Sequence, residues 1–177
     1  NSMIHVDGTL SASGTQPNPV TFMPMPGSTQ WSGITNGLVP STVSLAFVNV
    51  SNAYTALNVG SWTTLNVGNC TFNNCDIGVN IWPAPWAPNP TMQITNTTFT
   101  ETPNNGLGIS FDSYSDILLA GNSLTGPLYY GRIKGTGIYL NGSSPRMVGN
   151  TIQGFRNALV CLSGSSPVLE NVDGPGN

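Results

Sequence analysis

Residues able to do acid–base, metal or nucleophilic chemistry are few in this chain of 177: seven Asp and Glu, four Lys and Arg, one His and three Cys. Polysaccharide hydrolysis or elimination needs two or three carboxylates converging, or a carboxylate beside Arg or Lys. Asp76 and Glu101 stand 25 residues apart, but seven and five residues after Asn69 and Asn96, so their phases differ. Asp112 and Asp116 flank Ser-Tyr-Ser and suit a turn that bonds local amides better than a catalytic pair. Arg132, Lys134, Arg146 and Arg156 read as isolated solvated charges, and His5 stands alone near the start. No Cys/His spacing suits zinc, and calcium would find only Asp112 and Asp116. No catalytic residue, metal or cofactor is therefore expected. The aromatic residues offer more. Trp82 and Trp86 sit on a Pro-rich stretch, with Tyr129 and Tyr130 on a second irregular one. Their rings suit packing, a subunit contact or a sugar ring.

Charged residues make up only 6% of the chain, against about 25% in an average soluble domain. Polarity comes instead from 21 Asn, 19 Thr and 18 Ser. No basic patch exists to neutralise phosphates, which excludes nucleic-acid binding. No apolar run is long enough to span a membrane as a helix. Gly (21) and Pro (14) interrupt almost every helical window, leaving an all-β chain with a polar, nearly uncharged skin. That composition suits the outside of a cell. The chain opens on Asn1 rather than an initiator Met, so either a targeting segment has been removed or a longer protein surrounds it. N-x-[ST] sequons occur at Asn49, Asn69, Asn96 and Asn141. Asn141, just before a turn, and Asn49 are the candidate glycosylation sites. Cys70 and Cys75 flank Thr-Phe-Asn-Asn and are candidates for a disulfide across a corner, or all three thiols are small buried hydrophobes.

The elements that would position these residues are set by a repeat. Gly142-Ser-Ser-Pro145 recurs as Gly164-Ser-Ser-Pro167, each preceded by an alternating apolar segment, Ile138-Tyr-Leu140 or Val160-Cys-Leu162. A looser phrase, an apolar run and then Asn, recurs at Asn69, Asn96, Asn122 and Asn150, with spacings of 27, 26 and 28. Short alternating runs at this period predict a solenoid of strands, each coil too small to bury its own apolar face. Coils stacked about 4.8 Å apart share one core. A recurrent Asn inside such a stack passes amide hydrogen bonds from coil to coil, so Asn69, Asn96, Asn122 and Asn150 are expected to form an inner ladder.

Gly137-Ile-Tyr-Leu-Asn-Gly-Ser-Ser-Pro-Arg-Met-Val-Gly-Asn-Thr-Ile152, followed by Val160-Cys-Leu-Ser-Gly-Ser-Ser-Pro-Val-Leu-Glu-Asn171, resembles the right-handed parallel β-helix repeat family of pectate-lyase-like architecture. His5 to Thr15, Asn18 to Phe22 and Trp31 to Ile34 resemble the first coils of secreted bacterial surface β-helices. The resemblance implies a single domain over residues 1–177, a right-handed parallel β-helix of about seven coils. Two insertion loops are expected, at about 81–91, where four prolines cannot join a ladder, and at about 126–131. The fold serves lyases, hydrolases, adhesins and structural proteins alike.

The expected function is a non-catalytic extracellular structural or adhesive solenoid at the cell surface, self-assembling into a filament or layer or belonging to a larger surface protein. No helix caps its last coil, and open strand edges attract further strands. The alternative is a polysaccharide lyase or hydrolase, or a carbohydrate-binding module using Trp82, Trp86, Tyr129 and Tyr130.

Overall fold

The computed structural model describes residues 2–83, 90–100, 106–112, 117–126 and 135–171, together with the backbone of two short strands, Leu128–Tyr129 and Arg132–Ile133. It is a right-handed parallel β-helix. Two sheets of seven strands and one of six run the length of the molecule, and every pairing within them is parallel. Each coil contributes one strand to each face in turn. The fourth coil, for example, runs through Ile77–Trp82 on the first face, Met92–Thr95 on the second and Thr98–Thr100 on the third. The described part of the last coil has two strands, Asn157–Leu162 and Val168–Glu170. Among the described residues there is no helix long and apolar enough to cross a membrane.

Strand alternation explains the core. On each face every second side chain points inward, and the strand register stacks these side chains into columns. The first face supplies Ile34, Leu57, Val79, Ile109 and Ile138, each fully buried. The second supplies Leu45, Val67, Ile94, Leu119 and Met147, and the third Val50, Phe72, Phe99 and Leu124. The Phe72 and Phe99 rings meet at 5.1 Å between centroids.

The glycine that opens the Gly137-Ile-Tyr-Leu run has a steric cause. Gly78, Gly108 and Gly137 form one column where the chain enters the first face, continued by Ala56 on one side and Ala158 on the other. A Cβ on Gly108 would stand 2.5 Å from the Gly137 carbonyl oxygen and 2.7 Å from Leu124 Cδ2. Both neighbours are fixed by the coil spacing. Gly108→Ala is therefore expected to lower stability by about 1–3 kcal/mol, the usual cost of overpacking, as read from urea unfolding. An unchanged midpoint would mean that the coils can spread.

Both expected insertions change in extent. Ile81 and Trp82 remain in the first-face ladder, opposite Val59 and Gly60, so the chain departs only after Trp82, where Pro83 ends the pairing. Residues 84–89, including Trp86, lie outside the described residues. The second insertion runs past Gly131: Leu128–Tyr129 pairs antiparallel with Arg132–Ile133, making a small hairpin. A two-residue strand needs only a partner doubling back, which the residues on either side of Tyr130-Gly131 provide.

Candidate functional surfaces

From the second coil to the sixth, the chain passes from the second face to the third through one residue in the left-handed region. Phe47, Asn69 and Asn96 adopt φ of 51°, 54° and 48° there, and Gly121 and Gly149 occupy the same position in the next two coils. Asn tolerates this conformation because its short polar side chain bonds locally; Phe47 does so against its preference. Asn69 and Asn96 are exposed. The residues that stack inside are the next ones along: Cys70, Thr97, Asn122 and Asn150.

The inner ladder therefore differs from the expected one. Asn122 and Asn150 stack within it, while Asn69 and Asn96 form the outer corner, and Cys70 and Thr97 take their inner places. The turn leaves an inward-facing N–H on each coil, and the side chain of the adjacent coil accepts it. Thr97 N donates to Asn122 Oδ1 at 3.0 Å, and Asn122 N donates to Asn150 Oδ1 at 3.0 Å. Returning, Asn122 Nδ2 donates to the Ile94 carbonyl and Asn150 Nδ2 to the Leu119 carbonyl, each at 2.8 Å. Thr97 and Asn122 have no exposed surface, so each donor and acceptor needs its partner.

Cys70 and Cys75 are free and buried. They flank the strand Thr71–Asn73, and no disulfide joins them across it. Each thiol donates instead to carbonyls, Cys70 to Gly68 at 3.2 Å and Cys75 to Asn73 at 3.4 Å. Burial raises the Cys70 pKa and pushes that of Cys75 up to about 11. Cys161 is exposed. A thiol reagent at pH 8 is therefore expected to titrate one cysteine in the native protein and three after denaturation. Fast labelling of two or three in the native state would contradict the placement.

Three further amide pairs link coils from outside: Asn80 to Asn58, Gln93 to Asn66, both at 2.9 Å, and Asn74 to Asn52. Their sequence signal is a spacing of 22 residues, shared by Asn52 and Asn74 and by Asn58 and Asn80.

The described carboxylates are each locally engaged. Asp7 lies 3.1 Å from His5 and Asp76 accepts from Gln30 at 3.1 Å. Glu170 pairs with Arg146 at 2.6 Å, and that hydrogen bond holds its carboxyl below the ordinary range. Asp112 accepts from Asn141 Nδ2, and Asn141 Oδ1 accepts from Ser163. Asn141 thus has its amide occupied on the edge of the first face. Asp116, Glu101 and Lys134 lie outside the described residues. Among the described residues no three His, Cys, Asp or Glu side chains converge. Trp82 packs edge-on against Trp62, centroids 4.9 Å apart, so its ring is held against the first face. Tyr129 is described only as backbone in its strand, and Tyr130 lies outside the described residues.

The most regular surface is the third face. Its outward positions fall into two columns. The first runs Thr21, Asn49, Thr71, Thr98, Ser123 and Thr151, and the second Ser51, Asn73, Thr100, Thr125 and Gln153. All are half-buried or exposed, none is charged and none is aromatic. Within the second column Thr100 donates to Asn73 at 2.8 Å. Asn49, a sequon residue, points outward near the N-terminal end of this face. The N-terminal half of the second face is similar but grooved: Ser11, Ser44, Asn66 and Gln93 share a column, with small residues beside them lining a shallow groove of about 330 Å³.

Comparison with family models, with curated proteins and with solved structures gives no match to this chain.

Proposed function

We propose that this chain is a non-catalytic extracellular solenoid that works as a structural and adhesive module. The observation that carries this reading is the third face, eleven uncharged polar positions in two straight columns on a rigid ladder. A catalytic cleft gathers a few ionisable groups around one bond. Here the described carboxylates are spread among separate local partners, and the repetition is of hydroxyls and amides. Such a face suits many weak, identical contacts with an extended surface.

The test of the non-catalytic part is incubation with acidic and neutral polysaccharides at stoichiometric protein. Unchanged polymer length is expected, whereas new reducing ends or unsaturated products would overturn the reading.

The last described coil offers a seat for a further coil, from this chain or from a second copy. Beyond the last coil, Leu159, Ile152 and Leu169 line an open recess of about 460 Å³, and Leu169 is 65% exposed. These residues continue the interior columns, and the strands that carry them have a free edge on that side among the described residues. A further coil would complete both the core and the ladder. If a second copy supplies it, light scattering and negative-stain electron microscopy show rods that lengthen with concentration. A monomer at all concentrations would overturn self-assembly.

A further inference from the structure

We propose that the third face binds the ordered water lattice of an ice crystal, an inference that rests on the adhesive reading of that face and names its ligand. Side chains on one face repeat about 4.8 Å from coil to coil and about 6.7 Å along a strand. Water oxygens joined tetrahedrally by bonds of about 2.75 Å stand roughly 4.5 Å from their second neighbours, and the layers of hexagonal ice repeat at about eight-thirds of a bond, or roughly 7.3 Å. Over the five intervals between Thr21 and Thr151 the two lattices drift apart by about 1.5 Å, a third of one repeat. Aligned at its middle, the face departs from the ice repeat by only about 0.75 Å at either end.

The side chains fit the same partner. Six of the eleven are threonine, whose branched Cβ leaves few rotamers, so each hydroxyl and methyl is held in place before binding. The hydroxyls join the water lattice and the methyls occupy the gaps in it. An acidic polymer would need cations on this face, and a sugar chain is usually gripped by aromatic rings. The two columns carry neither. The core side chains Phe72, Phe99 and Leu124 behind the face are fully packed, which keeps it flat and stiff.

The test uses the full chain, made without N-glycan because a sugar on Asn49 would cover the first column. Thermal hysteresis, inhibition of ice recrystallisation and partition into a slowly grown ice hemisphere are measured for three proteins. Wild type is expected to be active in all three. Thr98→Tyr, which sets a ring in the middle of the face, is expected to lose activity while keeping the wild-type circular dichroism spectrum and melting temperature. Ser44→Tyr, on the second face, is expected to keep it. The proposal is overturned if wild type is excluded from ice, if Thr98→Tyr stays active, or if Ser44→Tyr fails equally. Retention on insoluble polysaccharide separates the two levels of the argument. Loss of retention in Thr98→Tyr with no ice activity in wild type keeps the adhesive face and removes ice as its ligand; retention on neither removes both.

Discussion

Phe99→Ala is expected to lower the free energy of unfolding by about 3–5 kcal/mol, the range for losing a buried aromatic side chain. Phe99 is 1% exposed, and its ring lies against Phe72 on the coil below and beside the bare Cα of Gly78 on the first face. In a globular core, neighbours can shift to fill part of such a hole. Here Phe72 and Leu124 belong to strands hydrogen-bonded on both sides of Thr98–Thr100, so the coil spacing prevents them from closing in. The cavity therefore persists and the cost falls in the upper part of the large-to-small range. Urea unfolding of wild type, Phe99→Leu and Phe99→Ala checks this, with the leucine variant intermediate. A loss under about 1 kcal/mol for the alanine variant would mean that the stack relaxes freely.

The second large effect lies in the polar ladder. Asn122→Leu keeps much of the volume but leaves the buried Thr97 N–H without its partner, at roughly 1–3 kcal/mol. A substitution at Asn69 is expected to behave differently. Asn69 is exposed and its main demand is conformational, so Asn69→Gly should be close to neutral, because glycine meets no penalty at φ near 54°. Thermal and urea unfolding of Asn122→Leu and Asn69→Gly thus separate the inner ladder from the corner. Equal losses would contradict the assignment.

That distinction also shows how far the sequence could be read. The Gly137-Ile-Tyr-Leu and Gly-Ser-Ser-Pro phrases were legible because sterics and hydrogen bonding hold them. Glycine is required where Gly78, Gly108 and Gly137 stack, and serines bond from turn to turn, as in Ser143 N to Ser165 Oγ at 3.0 Å. The Asn phase was not legible. Gly68-Asn69 and Gly121-Asn122 look alike, but Gly68 is the last residue of its strand, opposite Thr95, whereas Gly121 is itself the corner. A slip of one residue exchanges outside for inside. The Cys70–Cys75 bridge failed for a related reason: four intervening residues suggest a tight turn, but three of them, Thr71–Asn73, form a strand and only Asn74 turns. The third-face columns were hidden by unequal coil lengths. Thr21, Thr71, Thr98 and Thr151 share no constant spacing in sequence, and only the strand register lines them up.

The claim on which the rest depends is that residues as distant in sequence as Thr21 and Thr151 belong to one straight column. Spin labels at Thr21→Cys and Thr151→Cys, with Cys161→Ser to remove the exposed thiol, measure that column directly by pulsed dipolar spectroscopy. Five coil intervals of about 4.8 Å predict a single narrow distance near 24 Å, broadened only by the label arms. A distribution centred well beyond 40 Å, or one with several separated maxima, would contradict the stacking order and with it the flat face.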